Sequence, residues 1–226
     1  MEEKNNKNII SGLFSDKVKT MELNPLLTTK TVYPEEEILI SNAVEKRKRE
    51  FRAGRICVRE ILSQFGIRNY PVLMNSKRGP IWPKEVCGSI SHTDDYCGVA
   101  MALKKDFKSI GIDVELIERL NMDLQKYICT PDETRWLDSL SMHKQKEFLA
   151  LIFSSKEFFY KCQYPISQTF LGFQDVTVNI DSKSNTFEAR LNIKVANIFA
   201  KGLYLKGQYL FEQGYVFTGM EIKSSE

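Results

Sequence analysis

From Lys144 to Cys162 the chain has no glycine and no proline, and Phe148, Leu151, Ile152, Ser155, Phe158, Phe159 and Cys162 return at helical spacing. Such a stretch folds as one helix with an inward apolar face, and the rest of the chain must be arranged to cover it. At about 100° per residue, Ala150, Ser154, Glu157 and Lys161 fall on a narrow strip roughly opposite that face. Glu157 and Lys161, four positions apart, read on a free surface as an ordinary helix-stabilising ion pair. The bulky Phe153 and Tyr160 beside the small Ala150 and Ser154 instead suit a cleft against another element.

A second run, Gly111-Ile112-Asp113-Val114-Glu115, has the period of a strand. Successive side chains alternate faces there, so Asp113 and Glu115 share one side while Ile112 and Val114 share the other. Unpaired carboxylates are costly to bury. The strand therefore either runs out into solvent or holds a cation, and Glu157 would make a third acid for a metal site.

The chain's organisation reads as α+β. A long helix is expected from Pro34 through Phe65, about eight turns, with Glu35, Glu36 and Glu37 at its positive end and Gly66 as its stop. Asn69 to Lys84 reads as loop. Cys87–His92 and Cys97–Leu103 form a hairpin across Thr93-Asp94-Asp95-Tyr96, and Lys104 to Lys108 is a charged link to the Ile110–Leu116 strand. Thr130-Pro131-Asp132-Glu133 has capping-box spacing and opens a short helix toward Leu140. Beyond Pro165 four alternating segments, Asp175–Ile180, Thr186–Val195, Leu203–Phe211 and Tyr215–Ile222, with turns at Asp181–Asn185, Lys206-Gly207 and Gln213-Gly214, make an antiparallel sheet. The natural division is 1–108 and 109–226.

Charge follows that division. Residues 1–108 carry 19 Lys and Arg against 14 Asp and Glu, whereas 109–226 carry 13 against 15. An anion site belongs in the first half and the metal-type acids in the second. Arg47, Lys48, Arg49, Arg52, Arg55 and Arg59 line the long helix, with Arg52, Arg55 and Arg59 on one face. Such a run is either a solvated face, a nucleic-acid contact or a site for a small polyanion; the interleaved aromatics of a single-strand binder are missing. Arg78, in the stiff Lys77-Arg78-Gly79-Pro80-Ile81-Trp82-Pro83 loop, can pair with a phosphate through two hydrogen bonds. Gly88-Ser89-Ile90-Ser91-His92 ends a strand on one of only two histidines; the other, His143, has no motif around it. No glycine-rich nucleotide loop and no nucleophile–histidine arrangement stands out. The five scattered cysteines fit a reducing cytoplasm, no segment has the length of a membrane span, and Met1 to Asn8, polar and without a signal-peptide pattern, is expected to be disordered.

Taken in order, Phe51-Arg52-Ala53-Gly54-Arg55, Arg78 to Pro83, Gly88 to His92, and Gly111 to Glu115 with Phe153-Ser154-Ser155-Lys156-Glu157-Phe158-Phe159-Tyr160-Lys161 resemble the 4′-phosphopantetheinyl transferase family. The likeness is to its monomeric type, which activates enterobactin, surfactin and other nonribosomal peptide synthetases. It spans residues 51–161, and the last pair of motifs is the specific part. The resemblance implies two similar α+β subdomains in pseudo-twofold arrangement, each a helix on an antiparallel sheet, with coenzyme A between them. It implies transfer of the phosphopantetheine arm to a serine of acyl or peptidyl carrier proteins, releasing adenosine 3′,5′-bisphosphate. Carried over, Asp113, Glu115 and Glu157 match Mg²⁺ ligands. Glu157, directly or through a metal-bound water, would take the serine proton, and Lys161 would contact the pyrophosphate. Ser91, His92, Arg55 and Arg78 would lie at the nucleotide phosphates, with Arg49 matched by an alignment that slides by a residue. The basic helix and the stretch from Glu115 to Trp136 would dock the carrier. A cytoplasmic monomer touching neither nucleic acid nor membrane completes the expectation. Competing readings are a basic nucleic-acid-binding module and an inactive carrier-protein binder.

Overall fold

Four layers stack as helix, sheet, sheet, helix in a computed structural model that describes residues 8–224. The start of the polar stretch expected to be disordered, Met1 to Lys7, lies outside the described residues. The first sheet has strands β1 (Lys19–Leu23), β2 (Val86–His92) and β3 (Cys97–Leu103) in the order β1-β3-β2, all antiparallel. The second has β4 (Phe107–Leu116), β5 (Val176–Asp181), β6 (Thr186–Leu191), β7 (Tyr204–Glu212) and β8 (Tyr215–Lys223) in the order β4-β8-β7-β6-β5, also antiparallel. The β2–β3 hairpin closes across residues 93–96 with His92 opposite Cys97, as the alternation required.

The helices are α1 (Pro34–Ile38), α2 (Glu45–Gln64), α3 (Gln125–Ile128), α4 (Pro131–Asp138) and α5 (Met142–Ser167). Ala53, Cys57, Val58, Ile61 and Leu62 of α2 pack on Val86, Val99 and Met101 of the first sheet. The other face of that sheet, through Cys87, Ala100 and Ala102, meets Ile110, Ile112, Val114 and Phe217 of the second. A third core lies between α5 and the far face of the second sheet. Each half is therefore a long helix on an antiparallel sheet, and the two sheets, of three and five strands, share a dry seam. The 3-10 turn Ile9–Leu13 packs into the same seam, where Leu13 and Phe14 lie against Gly219 of β8.

Three sequence expectations need correcting. The long helix is two. The Ser41 hydroxyl donates to the Ile38 carbonyl (2.9 Å), offering the backbone an alternative to the helical ladder, and the chain re-enters helix only after Val44. At the far end Gly66 (φ 79°) does stop α2, with Ile67 N–H on Leu62 O and Gly66 N–H on Ser63 O. Pro165 sits in the last turn of α5, and the helix closes at Gln168, left-handed at φ 53°. Thr186–Val195 is strand only to Leu191. Lys206-Gly207 is no turn: both lie inside β7, where a Cβ on residue 207 would come 2.3 Å from the Phe187 ring. Glycine there serves close approach rather than reversal.

Candidate active site

The site forms where β2, β4 and α5 meet. In β4 the period of two holds: Ile110, Ile112 and Val114 enter the seam, while Asp113 and Glu115 turn toward α5. Gly111 lets the helix come close, since a Cβ there would stand 2.6 Å from the Phe158 ring. The strip expected opposite the apolar face of α5 is consequently buried at Ala150 and Ser154 and half-buried at Glu157 and Lys161. Ala150 and Ser154 are fully buried against β4 and β8, because mid-length α5 is enclosed on nearly every side.

Asp113 is 2% exposed and thoroughly held. Its Oδ1 accepts from Lys161 Nζ (2.5 Å) and Ser91 Oγ (3.0 Å), and its Oδ2 accepts from Ser154 Oγ (2.8 Å). Ser91 Oγ also accepts the Val114 N–H (3.2 Å), so a hydroxyl from β2 substitutes for a ladder bond at the edge of β4. Lys161 Nζ reaches Ser91 Oγ as well (3.3 Å), leaving a third ammonium proton for an incoming oxygen. Burial, then Asp113 and Glu157, pushes Glu115 up to about 8, with Lys161 and Arg119 opposing. Burial and Asp113 raise Glu157 too. Three acids thus feel one another's charge beside a single lysine.

His92 follows Ser91 and leaves the strand toward α2. Its Nε2 lies 2.6 Å from Arg47 Nη1 and its Nδ1 3.4 Å from Glu50 Oε2. A guanidinium only donates, so Nε2 accepts and the proton is assigned to Nδ1, facing Glu50. Burial, Arg47 and Lys161 together lower His92 to about 4, keeping it neutral.

The rest of the basic run, Arg49 excepted, faces acids. Lys48 faces Glu45, Arg52 faces Glu37, and Arg55 and Arg59 share the buried Glu36 at 3.9 and 3.6 Å. Arg55 is itself 5% exposed, stacked over Phe51, and burial lowers it to about 10. The structure therefore brings Ser91, His92, Asp113, Glu115, Glu157 and Lys161 together but points Arg55 into the α1–α2 contact. Arg49 is exposed on α2. Arg78 is exposed at φ 65° on a loop pinned by Asn75 Oδ1, which accepts the N–H groups of Lys77 and Gly79. Lys77 Nζ stands 5.1 Å over the Tyr164 ring, which sets that loop beside the end of α5.

Sequence reasoning missed Ser154 as a partner of Asp113, and Glu50 as the partner of His92. The first was legible as a small residue on the right strip, the second only as an acid three positions from Arg47. Lys156 was assigned nothing, and its Nζ is consumed by Glu133 (2.7 Å) and the carbonyls of Ile128 and Phe173. A cavity of about 190 Å³ opens beside Glu157, walled by Tyr160, Phe170, Leu171 and Phe173. The larger cavity, about 730 Å³, lies by β1 and the β7–β8 turn and is lined by none of the predicted site residues.

The donor set suits a hard divalent cation, which takes carboxylate oxygens and completes its shell with water or substrate oxygens. Among the described residues no three acid, histidine or cysteine side chains converge tightly enough to enclose an ion unaided. Lys161, seated on Asp113 Oδ1, is the nearest counter-charge.

Two family models match the chain. One for the 4′-phosphopantetheinyl transferase N-terminal domain covers residues 35–102, and one for the 4′-phosphopantetheinyl transferase superfamily covers 109–215. The 4′-phosphopantetheinyl transferase Npt of Nocardia iowensis is 31% identical over 83% of this chain and 88% of its own length. PptT of Mycobacterium tuberculosis is 30% identical over 84% and 86%. Enterobactin synthase component D of Escherichia coli K12 is 35% identical over 62% and 65%.

Proposed function

The chain belongs to the 4′-phosphopantetheinyl transferase superfamily, and from that premise we propose how its residues divide the work of moving the phosphopantetheine arm of coenzyme A onto a carrier-protein serine. The observation that carries the proposal is the buried Asp113 carboxylate where β2, β4 and α5 meet, held by Lys161, Ser91 and Ser154. Asp113, Glu115 and Glu157 hold Mg²⁺, which when bound supplies positive charge to the pyrophosphate and the leaving bisphosphate.

Lys161 turns its free ammonium proton to a pyrophosphate oxygen, fixing the phosphorus for in-line attack. Glu157 accepts the serine proton. The serine Oγ–phosphorus bond forms as the bond to the bisphosphate breaks, and the bisphosphate leaves with its charge. Ser91 and His92 stand on the nucleotide-phosphate side, where a phosphate is met by exchanging the Ser91 bond to Asp113 or the His92 contact with Glu50, with Arg78 and Arg49 on the exposed approaches. The cavity beside Glu157, walled by Tyr160, Phe170, Leu171 and Phe173, receives the pantetheine arm.

In this reading 1–108 supplies the nucleotide side and 109–226 the acid side. The protein acts as a cytoplasmic monomer on carriers of siderophore or other nonribosomal peptide synthases, in keeping with its likeness to enterobactin synthase component D. Among the described residues no helix is long and apolar enough to cross a membrane. The paired arginines of α2 weaken the nucleic-acid alternative, because a phosphate backbone would have to displace Glu36, Glu37 and Glu50.

The test incubates the chain with coenzyme A, Mg²⁺ and a panel of apo-carrier domains, then looks by mass spectrometry for the arm on serine. No adduct on any carrier sinks the reading. Adducts that form equally well in chelator sink the metal assignment alone.

A further inference from the structure

Thr218, on β8, is fully buried, and its hydroxyl lies 2.9 Å from that of Ser154, which is also fully buried. Ser154 in turn is 2.8 Å from Asp113 Oδ2. The direction of this chain follows from its end. An ionised carboxylate can only accept, so the Ser154 proton points at Asp113, and the Thr218 proton then points at the oxygen of Ser154. Hydroxyls aligned head to tail polarise one another, and the low-dielectric surroundings strengthen each link.

The other oxygen behaves differently. Oδ1 takes its hydrogen bonds from Ser91 and Lys161, groups half-exposed or at the seam and positioned to meet substrate. Oδ2 is anchored from within the α5–β4–β8 core. With two bonds on Oδ1 and one on Oδ2 the carboxylate plane cannot turn, and a cation that takes an Asp113 oxygen meets it in a fixed direction, displacing Lys161 from Oδ1 or using the one open lone pair of Oδ2.

We propose that Ser154 and Thr218 are positioning residues that lock the Asp113 carboxylate in the orientation that presents it to the divalent cation. The inference rests on the proposed metal assignment of Asp113. Neither residue touches substrate, and their effect is felt as metal affinity. Groups that orient a ligating carboxylate typically govern affinity by about 10–100-fold.

Stability and affinity can be separated here. Ser154→Ala leaves the Thr218 hydroxyl buried without a partner, so Tm should fall by several degrees. The double variant Ser154→Ala/Thr218→Val replaces both partners with apolar groups of similar shape and should recover much of that loss. It cannot restore the bond to Asp113.

Mn²⁺ is titrated into the coenzyme A-loaded protein, with free Mn²⁺ read by electron paramagnetic resonance and Tm measured on the same samples. We expect roughly 10–100-fold weaker Mn²⁺ binding in Ser154→Ala and in the double variant, a few-fold weakening in Thr218→Val, and near-native binding in Thr218→Ser. Asp113→Asn is the reference for the underlying reading and should lose Mn²⁺ binding altogether. If Asp113→Asn loses Mn²⁺ while Ser154→Ala keeps native affinity, the positioning role is wrong and the metal assignment stands. Affinity that returns with Tm in the double variant also overturns the proposal, since the pair would then be packing only. Native affinity in Asp113→Asn overturns the assignment beneath it.

Discussion

Replacing Gly111 with alanine tests how the site is assembled, because strand propensity and packing predict opposite signs. In a strand interior alanine is ordinarily better than glycine by about 0.5–1 kcal/mol. Here the new Cβ would stand 2.6 and 2.7 Å from two ring carbons of Phe158 and 3.2 Å from Cys162 Cβ, against an optimum near 3.5–4.0 Å. Phe158 cannot retreat. It is fully buried and stands edge-on to Phe187 (5.7 Å), whose own ring already occupies the space a side chain on Gly207 would need. Overpacking at the upper end of its usual range, about 3 kcal/mol, less the propensity gain, leaves a net loss of about 2 kcal/mol. Urea unfolding at an m-value of about 2–3 kcal/mol/M should place the midpoint lower by nearly 1 M. Phe158→Ala alone should cost about 3–5 kcal/mol. The double variant should cost at least 1 kcal/mol less than the two single losses together, since the alanine methyl then enters the vacated space. An unchanged or raised midpoint in Gly111→Ala, or additivity within about 0.5 kcal/mol, would refute the account. Because Ser154 and Lys161 ride on the same helix, any displacement of α5 should also weaken metal-dependent transfer.

Asp113→Ala and Glu157→Gln should abolish carrier modification, whereas His143→Ala, on an exposed turn of α5, should leave it near native; turnover by mass spectrometry compares the three. Metal-free stability should carry two opposed pH slopes, read by urea unfolding at fixed pH. His92, at about 4 folded against about 6.5 unfolded, binds fewer protons when folded, so its contribution is full above about pH 6.5 and is lost as pH falls toward 4. Glu115, pushed up to about 8, binds more protons when folded, so its contribution is lost as pH rises from about 4.5 to 8. His92→Asn should remove the rising limb and Glu115→Gln should shrink the falling one, with Glu157, raised by burial, leaving a remainder; Mg²⁺ should flatten the falling limb in the unaltered protein. A falling limb of unchanged depth in Glu115→Gln would mean that Glu115 is not the raised acid.

What was legible in the sequence is what short periods decide. Asp113 and Glu115 share a face because strand geometry allows nothing else, and Glu157 shares a strip with Ser154 and Lys161 by the helix angle alone. Joining the two elements needed one further clue, Gly111, whose missing side chain sets how closely α5 approaches. The same residue type misled at Gly207, because glycine marks a reversal and a close approach with the same letter. The arginine run failed for a different reason. Its residues are contiguous, but the charges that cancel them come from α1, so Arg55 reads as a ligand-seeking cation and folds as the partner of Glu36. A side chain's charge is written in the sequence, whereas its free charge depends on what the fold sets opposite. Asp113 obeys that rule as well: its apparent isolation among apolar neighbours dissolves into Lys161, Ser91 and Ser154. The difference is that Lys161 alone cannot balance three acids. Most cations of α2 have an acid set opposite them, with Arg55 and Arg59 sharing Glu36, whereas around β4 buried carboxylates outnumber the one lysine, and that excess of acid locates the metal-type chemistry there.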